Sequence, residues 1–250
     1  MSVPRVLVCA GLDPSGGAGL LADLEALAAA GASGWAVATA LTAQGPRGAR
    51  AVEPATPGML VAQVEALLDG ARELPRAVKT GMLGSGANAA ALAARLSARP
   101  LRTVPLVVDP VLFASSGLSL LDAPDARAAL HALLSRAALV TPNWPELEAL
   151  AGRPLASEAE AVRAARELPA RAVLVKGGHR AGEPIDLLVR GRTVVRIRGR
   201  RRPIDARGTG CRLASAAAGF LARGLPLEES VRRAKRVVER YLDAVARGRS

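Results

Sequence analysis

The sequence predicts an α/β protein built on a central, mostly parallel sheet with helices on its faces. Three observations carry this. Short apolar, β-branched runs alternate with Ala/Leu-rich amphipathic stretches, the pattern of repeated βαβ units. The turns richest in glycine and polar residues mostly follow the apolar runs, and open α/β sheets place their ligand sites at strand C-termini. A chain of 250 residues is also long enough for one large domain with a real core.

In chain order, residues 5–10 form an apolar run and read as a strand, and residues 19–30 read as a helix. Residues 35–41 are a strand, followed by a helix over 56–69. Residues 77–80 return to strand and 88–97 to helix. Three further buried strands fall at 106–108, 138–140 and 172–175, with helices at 124–135 and 157–167 between them. Residues 186–189 and 193–197 flank Gly191 as a hairpin, and helices near 210–222 and 227–247 close the chain. With no linker, low-complexity tract or internal repeat, residues 1–250 are expected to form a single domain.

Half the residues are apolar but only 2% are aromatic, so the core must be mostly Ala, Leu and Val. No apolar run reaches membrane-spanning length and the N-terminus lacks a signal-peptide pattern, so a cytoplasmic protein without a membrane partner is expected. Cys9 and Cys211 are too few and too far apart for a disulfide framework. The net charge of +12 invites a nucleic-acid reading. Yet nearly all of it is arginine, with Lys79, Lys176 and Lys235 as the only lysines. Its densest cluster, residues 196–202 with Arg207, has no interleaved aromatic residues to stack on bases. A solvated basic edge is the expectation, with no nucleic-acid partner; part of its field would draw in an anion such as ATP.

The most informative stretch is Gly208-Thr209-Gly210-Cys211, which opens a helix of small residues. Such a turn aims several backbone N–H groups at one point, and with the helix dipole behind them they suit a phosphate. Cys211 on the first helical turn is expected to favour thiolate, which makes it a candidate base. A tight loop with a buried cysteine would read the same way. Residues 11–19 (GLDPSGGAG) follow the first strand and allow close backbone approach. They match neither a dinucleotide fingerprint nor a P-loop. Asp23, one turn into the next helix, reads by itself as a dipole contact.

Thr141-Pro142-Asn143-Trp144-Pro145-Glu146 follows a buried strand. Asn143 and Glu146 are spaced to form a capping box; the same amide oxygen and carboxylate would suit Mg²⁺ held largely through water. Asp109 adds a hard oxygen at the same sheet edge. Lys176-Gly177-Gly178-His179 ends another strand, and Lys176 is placed to act as a point charge on ATP phosphates. His179 is assigned no chemistry.

DPSGGAG with Asp23, Gln44, Gly81-Met82-Leu83, Asp109-Pro110-Val111, Thr141-Pro142-Asn143 with Glu146, Lys176-Gly177-Gly178-His179 and Gly208-Thr209-Gly210-Cys211 stand in the order found in hydroxymethylpyrimidine/phosphomethylpyrimidine kinases. Over roughly residues 5–245 the chain resembles these thiamin-biosynthesis enzymes of the ribokinase-like superfamily. The resemblance implies a three-layer α/β/α fold and two successive phosphorylations that use ATP and Mg²⁺. The first is on the hydroxymethyl oxygen of 4-amino-5-hydroxymethyl-2-methylpyrimidine and the second on its monophosphate. It implies that Gly11, Asp23, Gln44, Met82 and Val111 line the pyrimidine pocket, and that Lys176 and Asn143 serve ATP. Asp109 and Glu146 would serve the metal. Cys211 would take the hydroxyl proton while the amides of Gly208, Thr209, Gly210 and Cys211 hold the transferring phosphoryl group. A homodimer is usual in the family.

The chain departs from the family pattern at Arg207, usually His, and at Arg212, usually Thr. It also departs at Ser115, where a lysine is common. These changes bear on substrate choice and the second phosphorylation; Arg207 or Arg212 is a candidate to bind the substrate phosphate in the lysine's place. A pyridoxal-type kinase and a non-catalytic pyrimidine-binding sensor are the alternative readings.

Overall fold

A computed structural model describes residues 2–45, 48–112, 121–122, 126–178, 183–202, 204 and 206–248. Ser115 and His179 lie outside them. The chain begins with β1 (Arg5–Leu12), α1 (Gly19–Ala29), β2 (Ser33–Gly45), β3 (Gly48–Pro54), α2 (Pro57–Leu68) and β4 (Ala77–Thr80). It continues through β5 (Gly84–Ser85), α3 (Gly86–Ser97), β6 (Leu106–Val108), β7 (Leu121–Asp122), α4 (Ala126–Arg136) and β8 (Leu139–Val140). Then follow α5 (Trp144–Ala151), α6 (Glu158–Glu167), β9 (Val173–Val175), β10 (Ile185–Arg190), β11 (Thr193–Arg198), α7 (Thr209–Ala222) and α8 (Leu227–Ala246).

Nine strands form one sheet in the order β11-β10-β9-β8-β6-β4-β1-β2-β3. Its middle is parallel from β9 to β2, and antiparallel hairpins finish both edges. Strand side chains alternate between two faces, and β1 shows the consequence. Val6, Val8 and Ala10 pack with α1, α7 and α8, whereas Leu7 and Cys9 pack with the cluster that holds α2 to α6. Both faces are therefore covered, which is why β6, β8 and β9 are continuously apolar, while β4 carries the buried Lys79 and Thr80. This is the three-layer α/β/α arrangement expected from the sequence. Among the described residues no helix is long and apolar enough to cross a membrane.

The expected elements are present, with ends shifted by a few residues. β3 was not expected: Val52 is the one β-branched residue in GARAVEP, and this segment is held by its ladder to β2. That ladder also carries β2 on to Gly45, past the predicted end at residue 41. The expected helix over 124–135 is described from Ala126, since residues 124–125 lie outside the described segments.

Candidate active site

A cavity of about 740 Å³ opens along the C-terminal ends of β1, β4, β6, β8 and β9. Every site residue expected from the sequence lines it except Asp23 and Arg212.

One wall is made by two helix N-termini. Gly208 caps α7 with φ +69° and Gly19 opens α1 with φ +59°. A Cβ at Gly208 would fall 2.2 Å from the Gly17 carbonyl oxygen, and one at Gly19 would fall 2.2 Å from that of Gly11. Only glycine combines that backbone conformation with such close approach. The two turns interlock, and Gly208, Thr209, Gly210 and Cys211 line the cavity together at the start of α7. The thiol corrects one expectation. Burial pushes Cys211 up to about 11, against the downward pull of Lys79 and of a backbone hydrogen bond from Gly19. Enclosure outweighs the helix start, and the resting group is a thiol at neutral pH.

Against the start of α7 lies a cation between two carboxylates: a Cβ at Gly210 would fall 2.9 Å from Lys176 Nζ. Lys176 Nζ donates to Asp109 Oδ1 at 2.9 Å and stands 3.5 Å from Glu146 Oε2. Thr141 Oγ1 donates to the same Asp109 oxygen at 3.0 Å. Burial pulls Lys176 down, but Asp109 and Glu146 together hold it above the usual lysine range. Burial also raises the Glu146 carboxyl. The capping box is formed: Glu146 N–H donates to Asn143 Oδ1 at 2.8 Å, and Asn143 N–H to Glu146 Oε2 at 2.7 Å. Glu146 therefore both starts α5 and faces the cavity. Among the described residues no group of three or more His, Cys, Asp or Glu side chains could hold a metal. Two hard carboxylates on a cavity wall do fit Mg²⁺ bound mainly through water and phosphate oxygens.

The third region is apolar. Met82 and Val111 pack with Ala40 and Val52 in a small cluster of their own. A Cβ at Gly11 would fall 2.2 Å from Met82 Cε, so the glycine makes room for that methyl. Gln44, near the end of β2, accepts from Thr42 Oγ1 at 3.4 Å. Asp13 organises the adjoining glycine-rich loop by accepting from the Ser15 and Ala18 amides at 2.9 and 3.0 Å. Arg207 spans the gap: it donates to Asp13 Oδ2 and to the Gly45 carbonyl, both at 2.8 Å. It thereby ties the start of α7 to the segment that carries Gln44.

Two expectations are corrected. Asp23 is wholly buried beneath the site, bound by Lys79 Nζ and by Ser215 Oγ at 2.7 Å. It braces α1 and α7 and does not reach the cavity. Arg212 is buried too: it pairs with Glu25 at 2.7 Å and stacks 3.8 Å from the centre of the Tyr241 ring. It does not line the cavity, which leaves Arg207 as the phosphate candidate. Sequence reasoning missed Lys79, Asp186 and Lys235, all of which line the cavity, and took Arg200, Arg201 and Arg202 for a solvated edge. The rarity of lysine was the available signal for two of them.

A family model described as phosphomethylpyrimidine kinase matches residues 13–249. A hydroxymethylpyrimidine/phosphomethylpyrimidine kinase of Rhizobium meliloti is 43% identical over 248 residues, covering 96% of this chain and 91% of that protein. The thiamine biosynthesis bifunctional protein ThiED of Geobacter sulfurreducens is 41% identical over 239 residues, covering 93% of this chain; the chain spans 48% of that longer protein. The pyridoxal kinase of Staphylococcus aureus in complex with AMP-PCP and pyridoxal superposes with a TM-score of 0.84 at 29% identity, covering 96% of this chain and 87% of that one.

Proposed function

The chain belongs to the phosphomethylpyrimidine kinase family, and from that premise we propose that it uses ATP to phosphorylate 4-amino-5-hydroxymethyl-2-methylpyrimidine and then the resulting monophosphate. The observation that carries this reading is one cavity joining three parts: the α7 N-terminus, the Lys176–Asp109–Glu146 cluster, and the Gly11/Met82/Val111 wall beside Gln44. The apolar wall and an amide that both donates and accepts suit an aminopyrimidine.

Lys176 takes the ATP phosphates, and Asn143 sets the start of α5 beside them. The amides of Gly208, Thr209, Gly210 and Cys211 hold the transferring phosphoryl group, so much of the rate comes from positioning and charge stabilisation. Asp109 and Glu146 would hold Mg²⁺, which when bound neutralises charge on the phosphate oxygens. Cys211 Sγ takes the hydroxyl proton, from a small thiolate fraction. The same reading includes a homodimer, which sedimentation equilibrium measures.

The test is an ADP-release assay with the alcohol, its monophosphate and pyridoxal in parallel, for wild type and Cys211→Ala. Turnover of both pyrimidines is expected, reduced in the variant. Pyridoxal turnover alone would establish the rival kinase, which the likeness to the Staphylococcus aureus enzyme favours. Pyrimidine binding with no ADP formed would leave a sensor.

A further inference from the structure

One side chain ties the start of α7 across the cavity. Arg207, the residue before the Gly208 cap, donates from Nη2 to Asp13 Oδ2 and from Nη1 to the Gly45 carbonyl, both at 2.8 Å. A longer contact of 3.4 Å joins Nη1 to Ser15 Oγ. Gly17 leaves room for the guanidinium, since a Cβ there would fall 3.3 Å from Nη1. The side chain keeps 22% of its surface exposed and lines the cavity with Gln44 and the α7 start. It thus lies between the wall that takes the ring and the amides that take phosphate.

The two ends of Arg207 are held differently. Its carbonyl accepts from Tyr241 Oη at 3.3 Å and from Arg212 Nη1 at 3.4 Å, which pins the main chain to α8 and α7. The guanidinium has five N–H groups, and its three contacts leave two without a partner among the described residues. Asp13 does not depend on it. The Ser15 N–H, the Ser15 hydroxyl and the Ala18 N–H donate to the same carboxylate at 2.9, 2.7 and 3.0 Å. Arg207 can therefore turn away without stranding a buried charge.

We propose that Arg207 is the specificity-determining residue for the second phosphorylation. It rests on Asp13 while the uncharged alcohol is bound and turns to the phosphate when the monophosphate enters. A phosphate carries close to two negative charges at neutral pH and competes better than one carboxylate for a planar fork. Asp13 is its positioning partner and sets the affinity for the monophosphate by competing for the same guanidinium. This rests on the reading of the site as a pyrimidine kinase, and adds how one cavity tells its second substrate from its first.

The test is calorimetric titration of the alcohol and of its monophosphate, without ATP, into wild type, Arg207→Met, Asp13→Asn and the double variant, with a melting curve for each. Arg207→Met should raise the monophosphate Kd about tenfold relative to that of the alcohol. Asp13→Asn keeps an acceptor for the Ser15 amide and releases the guanidinium. The monophosphate should then bind about threefold more tightly relative to the alcohol. That gain should vanish in the double variant. Lower melting temperatures with the ratio of the two Kd values unmoved would overturn the proposal and leave the tie structural. The same gain in the Arg207→Met background would also overturn it, since Asp13 would then act by repelling the phosphate directly. Wild type that binds neither pyrimidine would overturn it together with the kinase reading. Arg207-dependent binding of the monophosphate with no ADP formed from ATP would support it while removing the kinase reading.

Discussion

Lys79 Nζ stands 2.8 Å from both carboxylate oxygens of Asp23, and neither side chain is exposed to solvent. Breaking a buried pair by removing one partner leaves an uncompensated charge and costs about 3–5 kcal/mol. Lys79→Met should therefore lower the melting temperature by roughly 10 °C, given about 2–4 °C per kcal/mol for a chain of this size. Adding Asp23→Leu should restore most of that loss in a thermal melt. A double variant no more stable than Lys79→Met would mean that the stranded carboxylate is not the cause.

Burial pushes Cys211 up to about 11, which leaves it largely a thiol at neutral pH. Its alkylation by iodoacetamide should accelerate about tenfold per pH unit from pH 7 to 9, following the thiolate fraction, with no plateau in that range. Cys9, fully buried in the core, serves as the unreactive internal reference in peptide mass spectra. A plateau near neutral pH would mean that the helix start prevails over burial.

If Cys211 supplies a base and the α7 amides supply most of the charge stabilisation, Cys211→Ala should lower kcat by about a hundredfold. Gly208→Ala should do more damage. Its φ of +69° and the 2.2 Å approach to the Gly17 carbonyl leave no place for a methyl. Phosphate binding and folding stability should therefore both fall, as titration and a melt would show.

Arg207 and Arg212 are five residues apart and differ in kind. Arg207→Glu should raise the KM for the monophosphate more than for the alcohol; equal effects would reduce Arg207 to a tie between Asp13 and Gly45. Arg212→Met should cost about 1–3 kcal/mol of stability through its buried hydrogen bonds. The ratio of the two KM values should not move.

Glu146 combines a cap and a cavity carboxylate, and two substitutions separate them. Gln also serves at the third helical position of a capping box, so Glu146→Gln should melt close to wild type while the Mg²⁺ concentration for half-maximal turnover rises about tenfold. Asn143→Ala should show the reverse, losing about 1 kcal/mol of stability with the Mg²⁺ requirement little changed.

The elements legible in the sequence were those with a local cause. Residues 106–108 were read to the residue because buried parallel strands are continuous apolar runs bounded by turns. The capping box was legible because its two residues lie three apart. β3 was not, because its hydrogen bonds belong to a partner strand and not to its own composition. The motif-bearing turns were expected at one sheet edge, and the cavity gathers all the expected site residues there except Asp23 and Arg212.

By itself, then, the sequence determined the layered α/β architecture, the positions of its chemical turns and the family to which they belong, since periodicity and short motifs act over a few residues. Only the tertiary structure decided which charges face the cavity. Asp23 meets Lys79 across 56 positions, Lys235 meets Asp186 across 49, and Arg207 meets Asp13 across 194. Ion pairing and desolvation depend on those distant neighbours. They made Asp23 a brace, hid Arg212, left Arg207 in the site and kept the helix-start cysteine a thiol.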